Sequence, residues 1–434
     1  MDRIILHCDC NSFFASVECV SHPEYKSVPM AVCGDPDNRH GIVLAKNEIA
    51  KKYGIVTAET VWSAKRKCSD LIVVMPHYEE YVKFSAAANE IYGRYTDLVE
   101  PFSIDESWLD VTGSIKLFGD GKQIAEQIRE SIKRELGITI SVGVSFNKIF
   151  AKMGSDYKKP DAVTVISRDN FRDILYPLSV SELIFVGKSC AKTLAECNIR
   201  TIGDIAASSP EFLRKKLGKQ GEMIYRYATG QDTSEVIPPD KTEDSKSIGN
   251  GMTFSRDITS DSDIKLGIES LADEVAIRLR KHHMKATVIS LTVKDSFLSQ
   301  VSRQTTVDTP MDTAREMAAA AYSLYKKMQS PGKAVRMLTV TACGLVHSDE
   351  VAEQLNFFDD NGQRREKTRK LETTVDDIRK KFGKGSITSG AVLNNDFGLN
   401  MHSKSNVDKE SYKSQTRNSG ENPKNPTSPS KNKS

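Results

Sequence analysis

The hydrophobic pattern of this chain changes character twice, which excludes one repeated architecture. Over residues 1–170 strand-like and helix-like stretches are interleaved, from 171 to 236 the pattern is helical with short loops, and after that strands return. Between the last two lies I-P-P-D-K-T-E-D-S-K (237–246), a polar stretch with two prolines that suits a linker. The 434 residues also exceed one ordinary core, so two to four domains are expected. The fold class that follows is α+β and multidomain.

Within the first part, R-I-I-L-H-C-D (3–9) reads as a buried strand and S-F-F-A-S-V-E-C-V as a helix. M-A-V-C-G and G-I-V-L-A follow as strands, and N-E-I-A-K-K-Y-G as a helix ending at Gly54. Tyr81, Phe84, Ala88, Ile91 and Tyr95 recur at helical spacing and predict a helix over 79–99. Residues 120–137 predict an amphipathic helix and 138–145 a strand. N-K-I-F-A-K-M-G-S-D-Y reads as a helix and A-V-T-V-I-S as a strand. In the last part, helices are expected over 263–283 and near 311–328, with strands over 287–293 and 337–346. Leu371, Val375, Ile378 and Phe382 place an amphipathic helix at 365–382, with no partner apparent. From about 399 the chain is rich in Ser, Asn, Lys and Pro, and disorder is expected.

No apolar run approaches the roughly 20 residues of a membrane span, and the start lacks a basic segment followed by an apolar core. A cytoplasmic protein with no membrane association is the expectation. The eight cysteines are scattered without paired spacing, which favours reduced, mostly buried thiols; Cys8-x-Cys10 is a weak metal hint. The net charge of +3 neither requires nor excludes nucleic acid, because local patches decide.

The chemistry concentrates in S-I-D-E-S-W-L-D-V-T-G (103–113). Ile104, Trp108, Leu109 and Val111 suit a strand, yet Asp105 and Glu106 are adjacent within it. Alone, the pair reads equally well as a solvated turn. A third acid, Asp9, ends the first strand. Three such carboxylates suit hard divalent cations such as Mg²⁺. Two ions held together would stabilise both the attacking and leaving oxygens of a phosphoryl transfer.

Three stretches, D-C-N-S-F-F-A-S-V-E, S-I-D-E-S-W-L-D-V-T-G and G-V-S-F-N-K-I-F-A-K-M-G-S-D-Y-K-K-P, occur in this order. Together they resemble the Y-family translesion DNA polymerases, in particular the bacterial branches. The resemblance covers roughly residues 1–346. It implies a right-hand polymerase with a palm (1–18 and 77–170), fingers (19–76), a helical thumb (171–240) and a DNA-binding little finger (241–346). A clamp-binding peptide with the amphipathic helix (347–398) and a disordered tail (399–434) would complete it.

The same resemblance assigns roles. Asp9 and Asp105 would bridge two Mg²⁺ ions, Glu106 would serve the ion at the primer 3′-hydroxyl, and the Cys10 backbone carbonyl would help hold the other. Phe14 would be the steric gate that clashes with a ribonucleotide 2′-hydroxyl. Phe13 belongs with it at the nucleotide, although core packing suits Phe13 as well. Lys159 would contact the triphosphate. Lys51 stands where relatives carry arginine, and a lysine cannot form the bidentate phosphate fork. Glu48 stands where many carry tyrosine. Asn11 marks a branch and is not a lost ligand, and Asp110 is expected to be structural.

F-V-G-K-S-C-A-K-T-L resembles a helix-hairpin-helix, with Gly187 allowing a tight turn and Lys188 beside it; a plain helical bundle is the alternative. Arg256, Lys294, Arg303 and Arg336 are candidates to grip the DNA backbone. Gln354, Leu355, Phe357 and Phe358 resemble the peptide that binds the sliding clamp, the beta subunit of DNA polymerase III; a strand docked on the parent domain is the alternative. The expected partners are primer–template DNA, dNTPs and the clamp, with the chain itself a monomer. A palm-type nucleotidyl cyclase would share the paired acids but need neither thumb nor little finger. A non-catalytic DNA-binding regulator would not need all three carboxylates.

Overall fold

A computed structural model describes residues 2–35, 39, 41–241, 245–328, 333–350, 361–393 and 395–399. They divide into two units, with the boundary inside the stretch read as a linker.

The first unit opens with β1 (Ile5–Cys10) and α1 (Phe13–Ser21). A small three-stranded layer follows, made of β2 (Met30–Cys33), β3 (Val43–Lys46), α2 (Glu48–Lys52), α3 (Val61–Lys67) and β4 (Ile72–Val74), in the order β3-β2-β4. The chain returns through α4 (Tyr78–Gly93), β5 (Val99–Pro101), β6 (Glu106–Asp110), α5 (Ile115–Phe118), α6 (Gly121–Leu136), β7 (Ile140–Ser145), α7 (Lys148–Tyr157) and β8 (Val163–Ile166).

The main sheet has the order β5-β6-β1-β7-β8, so β1 is central. A strand covered on both faces needs no polar alternation, which accounts for its unbroken buried run. Leu6, Cys8 and Cys10 pack into a core with Phe13, Tyr81, Ile91, Ile124 and Ile128. Ile5 packs with Trp108 and Ala151 on α7. The sequence sets the bounds of α6 sharply: Asp120 and Gln123 form a reciprocal capping box, and Gly137 closes the helix at φ 68°. The helix expected over 79–99 stops earlier, at Gly93. Residues beyond it are drawn into β5, which pairs with β6, and Thr96 Oγ1 donates to Asp110 O at 2.7 Å.

The helical segment comprises α8 (Phe171–Leu175), α9 (Lys188–Glu196), α10 (Ile202–Ala207), α11 (Pro210–Leu217) and α12 (Lys219–Ala228), around Leu194, Ile202, Ile205, Leu213 and Ile224.

The second unit contains β9 (Ser247–Ile258), α13 (Asp261–Lys281), β10 (Met284–Asp295), β11 (Gln300–Met311), α14 (Ala314–Met328) and β12 (Val335–His347). Its antiparallel sheet runs β11-β10-β12-β9. Ile268, Leu271 and Val275 of α13 and Met317 and Ala321 of α14 share a core with Ile289, Leu291, Leu338 and Val340 of the sheet. The sequence reading foresaw the two central strands and missed β9 and β11. The outward positions of β9 are Gly249 and Gly251, and β11 is largely exposed, so neither shows a strong apolar signal.

The predicted amphipathic helix exists as α15 (Asn361–Phe382), followed by α16 (Gly390–Leu393). Its partner is the second unit itself, engaged through charge. Arg280 reaches Glu372 at 2.6 Å and Asp376 at 2.7 Å, Arg369 reaches Asp312 at 3.0 Å, and Arg379 reaches Asp273 at 2.8 Å. Leu371 and Phe382 stay exposed. Phe397 and Leu399 are buried in the core of this unit, Phe397 edge-on to Phe254. Packing therefore extends through Leu399, where disorder was expected to begin; the rest of that tail lies outside the described residues. No helix among the described residues is long and apolar enough to cross a membrane.

Candidate active site

Register brings the acids together. β1 and β6 pair with Asp9 opposite Glu106, so both side chains leave the same face of the sheet. Cys10 N donates to Asp105 O at 3.0 Å, which places Asp105 at the same end of the strand pair. Asp110, at the far end of β6, accepts from Thr112 N at 2.9 Å and is structural, as expected.

Two cations from α7 and the loop after it meet these carboxylates. Lys152 Nζ lies 3.2 Å from Asp9 Oδ2 and 3.2 Å from Glu106 Oε2. Lys159 Nζ lies 2.8 Å from Asp9 Oδ2. Asp156 ties the two lysines together, at 3.1 Å and 2.8 Å. Helix α7 can come this close because Gly143 on β7 lacks a side chain: a Cβ there would sit 1.9 Å from Ala151 O. Sequence reasoning found Lys159 and missed Lys152 and Asp156. Their one-turn spacing was the available signal.

Sequence reasoning also missed His7, which is fully buried. Its Nδ1 lies 2.8 Å from Ser155 Oγ and its Nε2 3.3 Å from Glu106 Oε2. The Ser155 hydroxyl donates to the Lys152 carbonyl at 2.7 Å, which leaves its oxygen facing His7 Nδ1. Burial lowers the His7 pKa. The ring thus stands, fully buried, between Ser155 and Glu106.

The two adjacent acids differ electrostatically. Burial alone would raise Glu106, but the hydrogen bond from His7 and the Lys152 ammonium hold it down to about 2. Asp105 is pushed up by burial and by repulsion from Asp9 and Glu106, opposed by a 2.6 Å hydrogen bond from Ser103. Burial would lower Lys152, yet Asp9 and Glu106 raise it, so it stays a cation.

These residues fit a divalent metal by their donor chemistry. All three side chains offer carboxylate oxygens, and Asp9 and Glu106 already converge on one positive charge. Among the described residues no His, Cys, Asp and Glu side chains are yet gathered at metal-ligand spacing; the lysines stand between them. The C-x-C hint does not hold, since Cys8 and Cys10 are buried on the core side with their thiol pKa values pushed up by burial.

At the start of α1, Phe13 is buried in the core, which leaves only its backbone to meet a nucleotide. Phe14 is part-exposed and stacks on Tyr81 with centroids 4.1 Å apart. Tyr81 is itself anchored by its hydroxyl on Glu18. Lys51 is paired to Glu48 at 2.5 Å, and Ser12 Oγ donates to the same carboxylate at 3.2 Å. Asn11 is a structural hub: its side chain bonds Ser141, Thr139 and the Asp161 backbone, joining the turn after β1 to the loop that carries Lys159.

In the helical segment Gly187 caps α9 at φ −80°, with open space where a Cβ would be. The turn thus does not require glycine there, contrary to expectation; the left-handed residue is Phe185, at φ 69°. Lys188 is the first residue of α9.

In the second unit the face of the sheet away from α13 and α14 carries Ser290, Thr292 and Lys294 on β10, Thr339 and Thr341 on β12, and Gly249 and Gly251 on β9. Lys294 thus lies on the open face. Arg303 pairs across from Leu291 and so shares the helix side, though it is exposed at the edge strand. Arg336 sits at a bulge opposite β9 and β10. Arg256 is held by Asp263 at 3.0 Å and Asp396 at 2.5 Å, so its guanidinium fastens the fold where a DNA contact was expected. Gln354, Leu355, Phe357 and Phe358 lie outside the described residues.

The impB/mucB/samB family matches residues 8–156 and its C-terminal domain residues 245–357; the thumb domain of DNA polymerase-iota matches 183–232. The chain is 48% identical over 400 residues to the DNA polymerase IV of Acetivibrio thermocellus, covering 92% of this chain and 100% of that one. It is 35% identical to the DNA polymerase IV of Clostridium kluyveri, covering 91% and 99%. A solved Y-family DNA polymerase chimera matches in fold with a TM-score of 0.70 at 24% identity, covering 79% of this chain and 99% of the chimera. With the paired acids in place and these relatives matched along their whole length, the chain belongs to the Y family of DNA polymerases and is a DNA-directed DNA polymerase.

Proposed function

We propose that this polymerase extends primers past damaged or distorted template by two-metal-ion nucleotidyl transfer, with low fidelity and no proofreading, in DNA repair and SOS mutagenesis. The observation that carries this reading is the convergence of Asp9 and Glu106, with Asp105 beside them, on one part-buried positive charge, Lys152. Asp9 and Asp105 would hold both Mg²⁺ ions, Glu106 the ion at the primer end, and the Cys10 carbonyl would assist. When bound, the metals supply charge stabilisation for the attacking and leaving oxygens.

The chain's own residues do the positioning. Lys159 neutralises the incoming triphosphate, and Lys152 balances the carboxylates. The rigidly stacked Phe14 excludes a 2′-hydroxyl by contact. The 3′-oxygen forms a bond to the α-phosphorus, the bond to pyrophosphate breaks, and the hydroxyl proton is released. The open face of the second sheet, rich in Ser, Thr and Gly, suits a sugar–phosphate backbone that is gripped without sequence readout. A sliding clamp would engage Gln354, Leu355, Phe357 and Phe358, and the chain would work as a cytoplasmic monomer.

The test is primer extension with Mg²⁺ on undamaged and lesion-bearing templates. Wild type extends both, and Asp105→Ala with Glu106→Ala loses at least about a hundredfold in rate. Equal extension by the double variant would remove these residues from the site. Phe14→Ala raises ribonucleotide incorporation; unchanged sugar selectivity would reject the gate.

A further inference from the structure

Beside the acidic cluster lies a cleft of about 470 Å³, walled by Lys152, Met153 and Asp156 of α7 on one side and by residues 181–187 on the other. Lys152 is the ammonium that Asp9 and Glu106 share, so the cleft adjoins the reacting groups. Phe185 lines it. Its backbone is left-handed, at φ 69°, where a side chain with a Cβ is crowded. The residue is nevertheless 51% exposed.

The left-handed backbone serves the turn, in which Val186 N donates to Leu183 O at 3.0 Å, but glycine would fill that position without strain and the exposed ring adds nothing to the turn. A large apolar residue would normally offset such a backbone by burying its side chain, and Phe185 has the Tyr227 ring at 6.1 Å on one flank. The conformation is imposed from around it. Gln220 Nε2 donates to Phe185 O at 2.8 Å, and Leu183 and Val186 on either side are buried. Strain that the surroundings hold in place, at an exposed aromatic beside reacting groups, marks a residue kept for contact with substrate.

We propose that Phe185 is a positioning residue that packs its ring on the sugar–base surface of the primer strand in this cleft. The inference rests on the polymerase reading above. The chemistry selects that surface: an uncharged ring has no attraction for phosphate, whereas deoxyribose and base faces pack well on aromatics. Such a contact releases no counterion, so its contribution does not fade with salt as a phosphate contact does. Residues at this cleft thus divide the work, with Lys152 serving charge and Phe185 serving shape.

The experiment uses the full chain with Phe185→Gly, Phe185→Asn and Phe185→Tyr, since Gly and Asn accept left-handed backbone. Fluorescence anisotropy with primer–template DNA is measured at several salt concentrations, alongside thermal unfolding. The Gly and Asn variants should bind about five- to tenfold more weakly, with the salt slope unchanged and no fall in Tm; the Tyr variant should bind as wild type does. Unchanged affinity in the Gly variant overturns the proposal. Weaker binding that comes with a lower Tm also overturns it, by showing a structural role, as does a salt slope reduced by about one, which indicates a phosphate contact. Wild type that neither binds nor extends primer–template overturns the polymerase reading, and the inference falls with it.

Discussion

In the five-stranded sheet, charge is gathered at one point: Asp9, Asp105 and Glu106 stand at the end of β1 and β6, matched by Lys152 and Lys159 and backed by His7. The open face of the four-stranded sheet does the opposite. It spreads Ser290, Thr292, Thr339, Thr341 and two glycines over a surface with Lys294 at its margin. A Cβ at Gly249 or Gly251 would fall 2.7 or 2.3 Å from a threonine hydroxyl oxygen of β12. The first arrangement makes a place, where an ångström matters. The second makes an area, where the absence of bulk matters and no single residue dominates. Buried charge also occurs in the second unit, but there it fastens α15.

The largest effect should come from that fastening. Arg280 is nearly buried and bonds Glu372, Asp376 and the Asp312 carbonyl at once. Arg280→Ala leaves two carboxylates without their cation, and should weaken the attachment of α15 by about 3 kcal/mol. Hydrogen exchange across residues 365–382 of the full chain should accelerate accordingly. Clamp-free primer extension should stay near wild type; a collapse of extension would erase the distinction between fastening charge and reacting charge. A smaller effect tests the other pole of the comparison. His7→Leu removes the imidazole nitrogen that stands 3.3 Å from Glu106 Oε2 and should weaken Mn²⁺ binding, read by electron paramagnetic resonance, by about ten- to a hundredfold. His7→Gln, which keeps a donor near Nε2, should recover part of it. Equal loss in both variants would reduce His7 to a packing residue.

The sequence disclosed the acids but not what holds them. Asp9, Asp105 and Glu106 stood out in apolar strand contexts, but they became legible as a site only through the resemblance of the three ordered stretches, since the adjacent pair alone reads equally well as a solvated turn. Lys152 and His7 did not stand out. A lysine on an amphipathic helix looks solvated until the helix is packed, and a histidine inside I-I-L-H-C-D looks like core. Their meaning comes from Gly143, which lets α7 close on β7, and that proximity is tertiary. The same limit explains Arg256. Its charge suggested DNA, while its partner Asp396 lies 140 residues onward, in a segment with no strong pattern of its own. Strands β9 and β11 escaped for a different reason, since a face built to lack bulk also lacks the alternation by which strands are recognised.

The smallest effect concerns how the loop carrying Lys159 is held. Asp161 lies in it, 2.6 Å from Arg129 and 2.9 Å from Lys133 of α6, and 24% exposed. Burial would raise its carboxyl, but the hydrogen bonds from Lys133 and Arg129 hold it below the ordinary 3.8. A depressed carboxyl contributes stability that is present above its unfolded pKa and lost as pH falls through the folded one. Asp161→Asn should therefore cost up to about 1 kcal/mol at neutral pH, and the gap to wild type should close as the pH drops below 3.8. Asparagine tolerates the left-handed backbone at this position (φ 54°), so the substitution adds no strain of its own. Thermal unfolding from pH 7 to pH 3 checks the closing gap. A gap that does not narrow at all as the pH falls below 3.8 to the lowest pH at which the protein stays folded would mean that packing, and not the two ion pairs, holds Lys159 beside Asp9. The reacting charges would then depend less on the electrostatics of their support than the contrast between the two sheets requires.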